Sequence, residues 1–134
     1  MNRLFTTVLS GALALAFCSC NSASNCKELL GRWTTREGQD FIFKSGGKAL
    51  WLFQFGSSFD TAFLDYRLDC SKKPAALDLS NFKSGPHLGK TLFAIIEWTS
   101  DSTFRLRYEV GSTPEVRPEG FDNEQSMKFF KTGE

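Results

Sequence analysis

The chain has 134 residues, 41% hydrophobic and 23% charged, with 16 basic against 15 acidic side chains. That length allows one hydrophobic core, and the near-neutral balance excludes the basic excess that nucleic-acid binding needs. Four cysteines without a CxxC pair, and His87 as the single histidine, give no metal-ligand pattern, so neither metal nor cofactor is expected.

Met1-Asn2-Arg3 carries one positive charge and precedes the uncharged run 4–17, in which only Thr6, Thr7 and Ser10 are polar. These are the n-region and h-region of a secretory signal, and the run is too short to cross a bilayer. Phe17-Cys18-Ser19-Cys20 resembles the bacterial lipobox, with an apolar side chain, a small one before the cut, and then the cysteine that is lipidated. Cys20 fits that frame; Cys18 would place the bulky Phe17 at the cut. The resemblance implies a signal peptide over 1–19, a lipidated tether over 20–25 with palmitate-type acyl chains on Cys20, and a folded domain over 26–134. The chain is then expected on the periplasmic or surface face of the cell envelope, held to a membrane by its N-terminal lipid. An ordinary signal cleaved near Ala23, leaving a soluble protein, is the alternative.

On the lipoprotein reading Cys18 leaves with the signal and Cys20 is capped, which leaves Cys26 and Cys70 as a disulfide pair in a compartment that permits one. Loss of Arg3 brings the formal charge to zero. No polybasic run is present, so attachment rests on Cys20.

Cys26–Leu30 reads as a helical turn with Asn25 as N-cap and Leu29 and Leu30 inward. From Arg32 the period is two. A short strand at Trp33 is followed by Phe41 and Phe43, then by a Gly46-Gly47 turn. The run 49–55 is apolar on both faces, either a strand covered on each side or an exposed apolar band. Ala62, Leu64, Tyr66, Leu68 and Cys70 alternate with a charged stripe of Asp65, Arg67 and Asp69. A strand with Leu77 and Leu79 inward and Asp78 outward follows Pro74. A Ser/Gly/Pro/His loop over 83–90 leads to strand 91–98, a hairpin turn over 99–102 and a strand containing Phe104, Leu106, Tyr108 and Val110. A second loop over 111–120 precedes the last strand, 127–131. Eight short strands predict an all-β protein, a small antiparallel meander barrel, with a β-sandwich as the alternative.

Leu29-Leu30-Gly31-Arg32-Trp33 resembles the opening of lipocalin-like proteins, in which the glycine lets the chain pass under the barrel and the tryptophan plugs its closed end. That likeness implies an arginine laid on the Trp33 ring, with Arg105, Arg107 and Arg117 as candidates. Tyr66-Arg67-Leu68-Asp69, Pro74–Leu79, Ile95–Trp98, the Asp101 hairpin and Arg117-Pro118-Glu119-Gly120-Phe121 are similar in layout to bacterial lipocalin-like domains of unknown function.

Fourteen phenylalanines, only Phe5 and Phe17 of them in the signal, can line a pocket or fill a core. Phe41, Phe43, Phe53, Phe55, Phe93 and Phe104 are the candidate lining of a barrel that holds a small apolar or amphipathic ligand, with a rim at loops 44–49, 83–90 and 111–120. The alternative is a filled barrel acting on another envelope protein, as an inhibitor or immunity-type module does, with Trp51, Phe59 and Trp98 as exposed anchors. His87 reads as a solvated loop residue. Glu97 and Asp101 lack the arrangement of a glycosidase pair, and no nucleophile elbow, P-loop, HExxH or dinucleotide motif occurs, so no enzyme is expected.

Overall fold

A computed structural model describes residues 27–133, apart from the Phe55 side chain. The signal, Cys20, Asn25 and Cys26 lie outside the described residues. Eight strands follow one another: β1 Gly31–Thr34, β2 Gln39–Lys44, β3 Lys48–Phe55, β4 Ser58–Asp69, β5 Ala75–Ser80, β6 Thr91–Ser100, β7 Thr103–Gly111 and β8 Met127–Lys131. Each pairs antiparallel with the next, and β8 returns to β1 through Trp33 opposite Lys131 and Thr34 opposite Phe130. The meander closes into a barrel, and the sandwich alternative is excluded because no free sheet edge remains.

Two expectations at the N-terminus are corrected. Residues 27–30 form no helical turn, and the one helical element among the described residues is a 3₁₀ turn at Pro114–Val116. A single turn has little stability of its own. Here the segment is held instead by Trp33, whose indole Nε1 donates to the Leu29 carbonyl at 2.8 Å. Leu29 is buried under that contact and Leu30 is exposed, so only one of the two leucines points inward. Gly31, at φ +115°, turns the chain from this segment into β1, a conformation that favours glycine.

Strand alternation sorts the side chains. Phe41 and Phe43 of β2, Ala49, Trp51 and Phe53 of β3, Ala62 and Leu64 of β4, and Leu77 and Leu79 of β5 belong to one buried interior. Leu92, Ala94 and Ile96 of β6, Phe104 and Leu106 of β7 and Phe129 of β8 complete it. The two-faced run in β3 is an outer apolar band: Leu50 and Leu52 point away from the interior and are only half-buried.

On β6 the alternation puts Phe93 and Ile95 on the outer face, with Ala76 and Asp78 of β5 as their cross-strand partners. They are buried all the same, because the 112–126 segment between β7 and β8 straps across that side. Arg117 threads from the strap to the Ala94 carbonyl at 2.7 Å, to Asp78, and over the Phe93 ring at 5.4 Å. Arg107 ties the strap's far half through the Gly120 carbonyl at 2.9 Å and Asp122 at 3.2 Å, and Arg105 lies over Phe121 at 4.2 Å.

Candidate functional site

The barrel axis is occupied by a continuous file of rings. From one end to the other, Trp98 meets Phe104 at 6.0 Å between centroids, Phe104 meets Phe129 at 5.0 Å, Phe129 meets Phe41 at 5.4 Å, Phe41 meets Trp51 at 4.7 Å, and Trp51 meets His87 at 5.3 Å. Trp33 joins the file sideways, 4.6 Å from Phe104, and Phe53 leans on Trp51 at 4.3 Å. Tilted and offset-stacked pairs at these separations are the arrangements that aromatic quadrupoles favour. Phe41, Phe43, Phe53 and Phe104 are therefore interior, as expected, but as packing: Phe41 and Phe104 are 0% exposed, Phe43 2% and Phe53 8%.

Phe93 is a correction. It lies outside the barrel under Arg117, because a strand that is apolar at every position from Leu92 to Ile96 carries no phase to mark its inner face. Phe55 ends β3, with its side chain outside the description.

Trp33 is fully buried, and its indole holds the N-terminal segment at Leu29. The cation on its face is Lys131, at 5.6 Å, not an arginine. Arg105, Arg107 and Arg117 serve the strap instead, and the closing pair of β1 with β8 is what delivers the lysine. Cys70 is disulfide-bonded, while Cys26 and Cys20 lie outside the described residues.

Two further expectations change. Trp51, a candidate exposed anchor, is 1% exposed in the middle of the ring file, and Trp98 is only partly exposed. His87 is not a solvated loop residue. Its imidazole lies parallel to Trp51, at 11°, with the Tyr108 ring edge-on at 6.0 Å and Phe82 at 5.5 Å. Burial, with the nearby Lys90 charge, lowers its pKa from the ordinary 6.5.

The outer wall offers a different surface. Register places Arg32, Ile42, Leu50 and Phe63 in one row across β1 to β4, since Arg32 faces Ile42, Ile42 faces Leu50 and Leu50 faces Phe63. Phe63 is 54% exposed and Phe59, two positions along the same face of β4 beyond Thr61, is 66% exposed. Beside them an open groove of about 540 Å³ is walled by Arg32, Arg36, Asp40, Leu52, Gln54 and Phe59. Ion pairs flank the row: Arg32 with Asp40 on one side, Lys48 with Asp65 at 2.7 Å on the other. Hydrogen bonds from Lys48 and Asn81 hold the Asp65 carboxyl below its ordinary pKa. The charged stripe thus resolves into separate roles, with Asp65 on this rim and Asp69 capping the backbone of Ser71 at 3.0 Å.

A second opening, of about 550 Å³, lies at the Trp33 end between Lys27, the 72–75 turn and β6, with Pro74, Ile96 and Trp98 as its apolar wall. No group of three metal-ligating side chains occurs among the described residues. Glu97 is engaged by Arg105 at 2.9 Å and Asp101 by Lys27. Sequence reasoning missed Lys131, the Arg117 clasp and the four-strand row; the two-faced run in β3 was the available signal for the last. No family model, curated protein or solved structure matches the chain.

Proposed function

We propose that this chain is a lipocalin-like, lipid-anchored protein of the cell envelope whose ring-filled barrel is a rigid, non-catalytic interaction module. The observation that carries this reading is the contrast between the two faces of β3. Its inner face is locked into the ring file, while its outer face contributes half-buried Leu50 to the row that ends in exposed Phe63, and Leu52 to the wall of the adjoining groove. An apolar centre with charged edges is the layout of a protein-binding surface. Lys44, Lys48, Arg32 and Arg36 outnumber Asp40 and Asp65 around it, so the fitting partner is an envelope protein presenting an apolar patch with an acidic rim.

The test is a photo-crosslinking side chain at Thr61, between the two exposed phenylalanines, in the source cells. The expected result is one discrete protein adduct that disappears when Phe63→Asp or Leu50→Asp is added. An adduct pattern indifferent to both substitutions would overturn the reading. Anchoring is tested separately with Cys20→Ser, which should move the protein out of the membrane fraction.

A second reading, a carrier of a small amphipathic molecule, is favoured by the opening at the Trp33 end, where Lys27, Lys72 and Lys73 stand above an apolar wall. A stoichiometric small molecule in an organic extract of the natively purified protein would establish that reading in place of the first.

A further inference from the structure

The barrel mouth opposite Trp33 is closed by the loop between β5 and β6, and the manner of its closure is uneven. The first part of the loop is bonded to the wall: Lys83 N–H donates to the Phe63 carbonyl at 2.9 Å and Ser84 Oγ to the Thr61 carbonyl at 3.3 Å. Residues 85–90 hydrogen-bond only to one another among the described residues, Leu88 N–H to the Gly85 carbonyl and Lys90 N–H to the His87 carbonyl. Leu88 points into solvent, 61% exposed. Gly85 backs onto Ala62, and beyond it the side chain that seats this half of the loop is the imidazole of His87, lying flat on Trp51 between Tyr108 and Phe82.

That seat suits a neutral ring and not a charged one. Nδ1 of His87 is sealed from solvent and has no hydrogen-bond partner among the described residues, and the Trp51 Nε1 beneath the stack is likewise unpartnered. A neutral imidazole can turn its lone pair to Nδ1, whereas a protonated one must place an N–H there with no acceptor. A charged ring gains attraction from the indole face. Against that stand the lost acceptor, the lost water and the like charge of Lys90. The other groups around the ring supply no counter-charge. On β3 the group is Trp51, on the loop Phe82, and on β7 the phenol of Tyr108, whose pKa burial and Glu109 raise. Asp60 of β4 borders the mouth beside Ser84 and Pro86, but it is not among the groups that shift His87.

We propose that His87 is a proton-operated plug: neutral, it holds the 85–90 loop on the ring-lined mouth of the barrel, and protonated, it leaves Trp51 and frees the loop. The sign follows from linkage. The seated pKa lies below the 6.5 of the released ring, so the plug is fully held above about pH 6.5 and loosens as pH falls through the seated value. Between those two values the released fraction rises up to about tenfold per pH unit. Acidification of the compartment would thus bare Trp51, Phe53 and Phe82 without unfolding the barrel.

His87 is the chain's single histidine, so its ring protons report without ambiguity in a proton NMR titration of the purified chain. The expected result is a midpoint below 6.5, loss of the Trp51 ring-current shift on protonation, and faster amide exchange at Leu88 and Lys90 than intrinsic rates account for, with the strands unchanged. His87→Phe, a ring that cannot take a proton, should keep the loop seated at every pH. A charged His87 that still shows the ring-current shift would overturn the proposal. The same pH response of the loop in His87→Phe would also overturn it, by assigning the response to another group.

Discussion

Trp33 shows how much one residue can carry. Its ring is fully buried against Phe104, its N–H fastens the N-terminal segment through Leu29, and its face meets Lys131. Replacement by alanine removes all three contacts and leaves a cavity, so Trp33→Ala is expected to cost about 3–5 kcal/mol and to be read as a large fall in melting temperature. A melting curve like that of the parent would remove Trp33 from the core. Gly47 is a smaller case of the same kind. It adopts φ +73°, and a Cβ there would come within 3.1 Å of the Tyr66 carbonyl. Gly47→Ala should therefore destabilise by about 1–2 kcal/mol in chemical denaturation. The sequence made Trp33 legible because its motif is local. It concealed Lys131, which reaches the ring only after the first and last strands meet, and it concealed the seat of His87. Pro86 and Gly89 read as an open loop, and only the fold brings Trp51 beneath that loop.

Among the elements, the eight strands were readable from period-two alternation, most plainly in β4 and β7, where polar and apolar residues take turns along the strand. β6 defeated the same logic. Its inner Leu92, Ala94 and Ile96 and its outer Phe93 and Ile95 are all apolar, and what permits the outer pair is the strap, which no local pattern announces. Arg117 is the strap's fastening. Its side chain is 15% exposed and serves the Ala94 carbonyl, Asp78 and the Phe93 ring together. Arg117→Ala leaves those acceptors unsatisfied and uncovers Phe93, at an expected cost of about 1–3 kcal/mol. Hydrogen exchange should show the loss concentrated in 112–126 and in the part of β6 that the strap covers, with β1 to β3 unaffected. Uniform destabilisation of all strands would show instead that the strap and the barrel unfold as one unit.

For the molecule as a whole, the division of labour is between a ring-filled inside and an outer wall whose apolar side on β6 is covered by the strap while that on β3 and β4 is left open. Phe63 and Phe59 stand on that wall without a role in the core. Phe63→Ser is accordingly expected to change stability by less than about 0.5 kcal/mol while weakening the Thr61 crosslink, a separation that a core residue would not give. Cys70 should resist alkylation until a reductant is added; ready labelling of the untreated protein would contradict the bridge.

Closure itself has a bearing on how the chain is made. The first strand finds its second neighbour only in the last one, with Trp33 opposite Lys131 and the Thr132 N–H reaching the Arg32 carbonyl at 3.0 Å. Until residues 127–131 have left the ribosome, β1 and β7 each present a raw, hydrogen-bonding edge. A nascent chain halted before Met127 is thus a sticky open ribbon that cannot yet become a barrel.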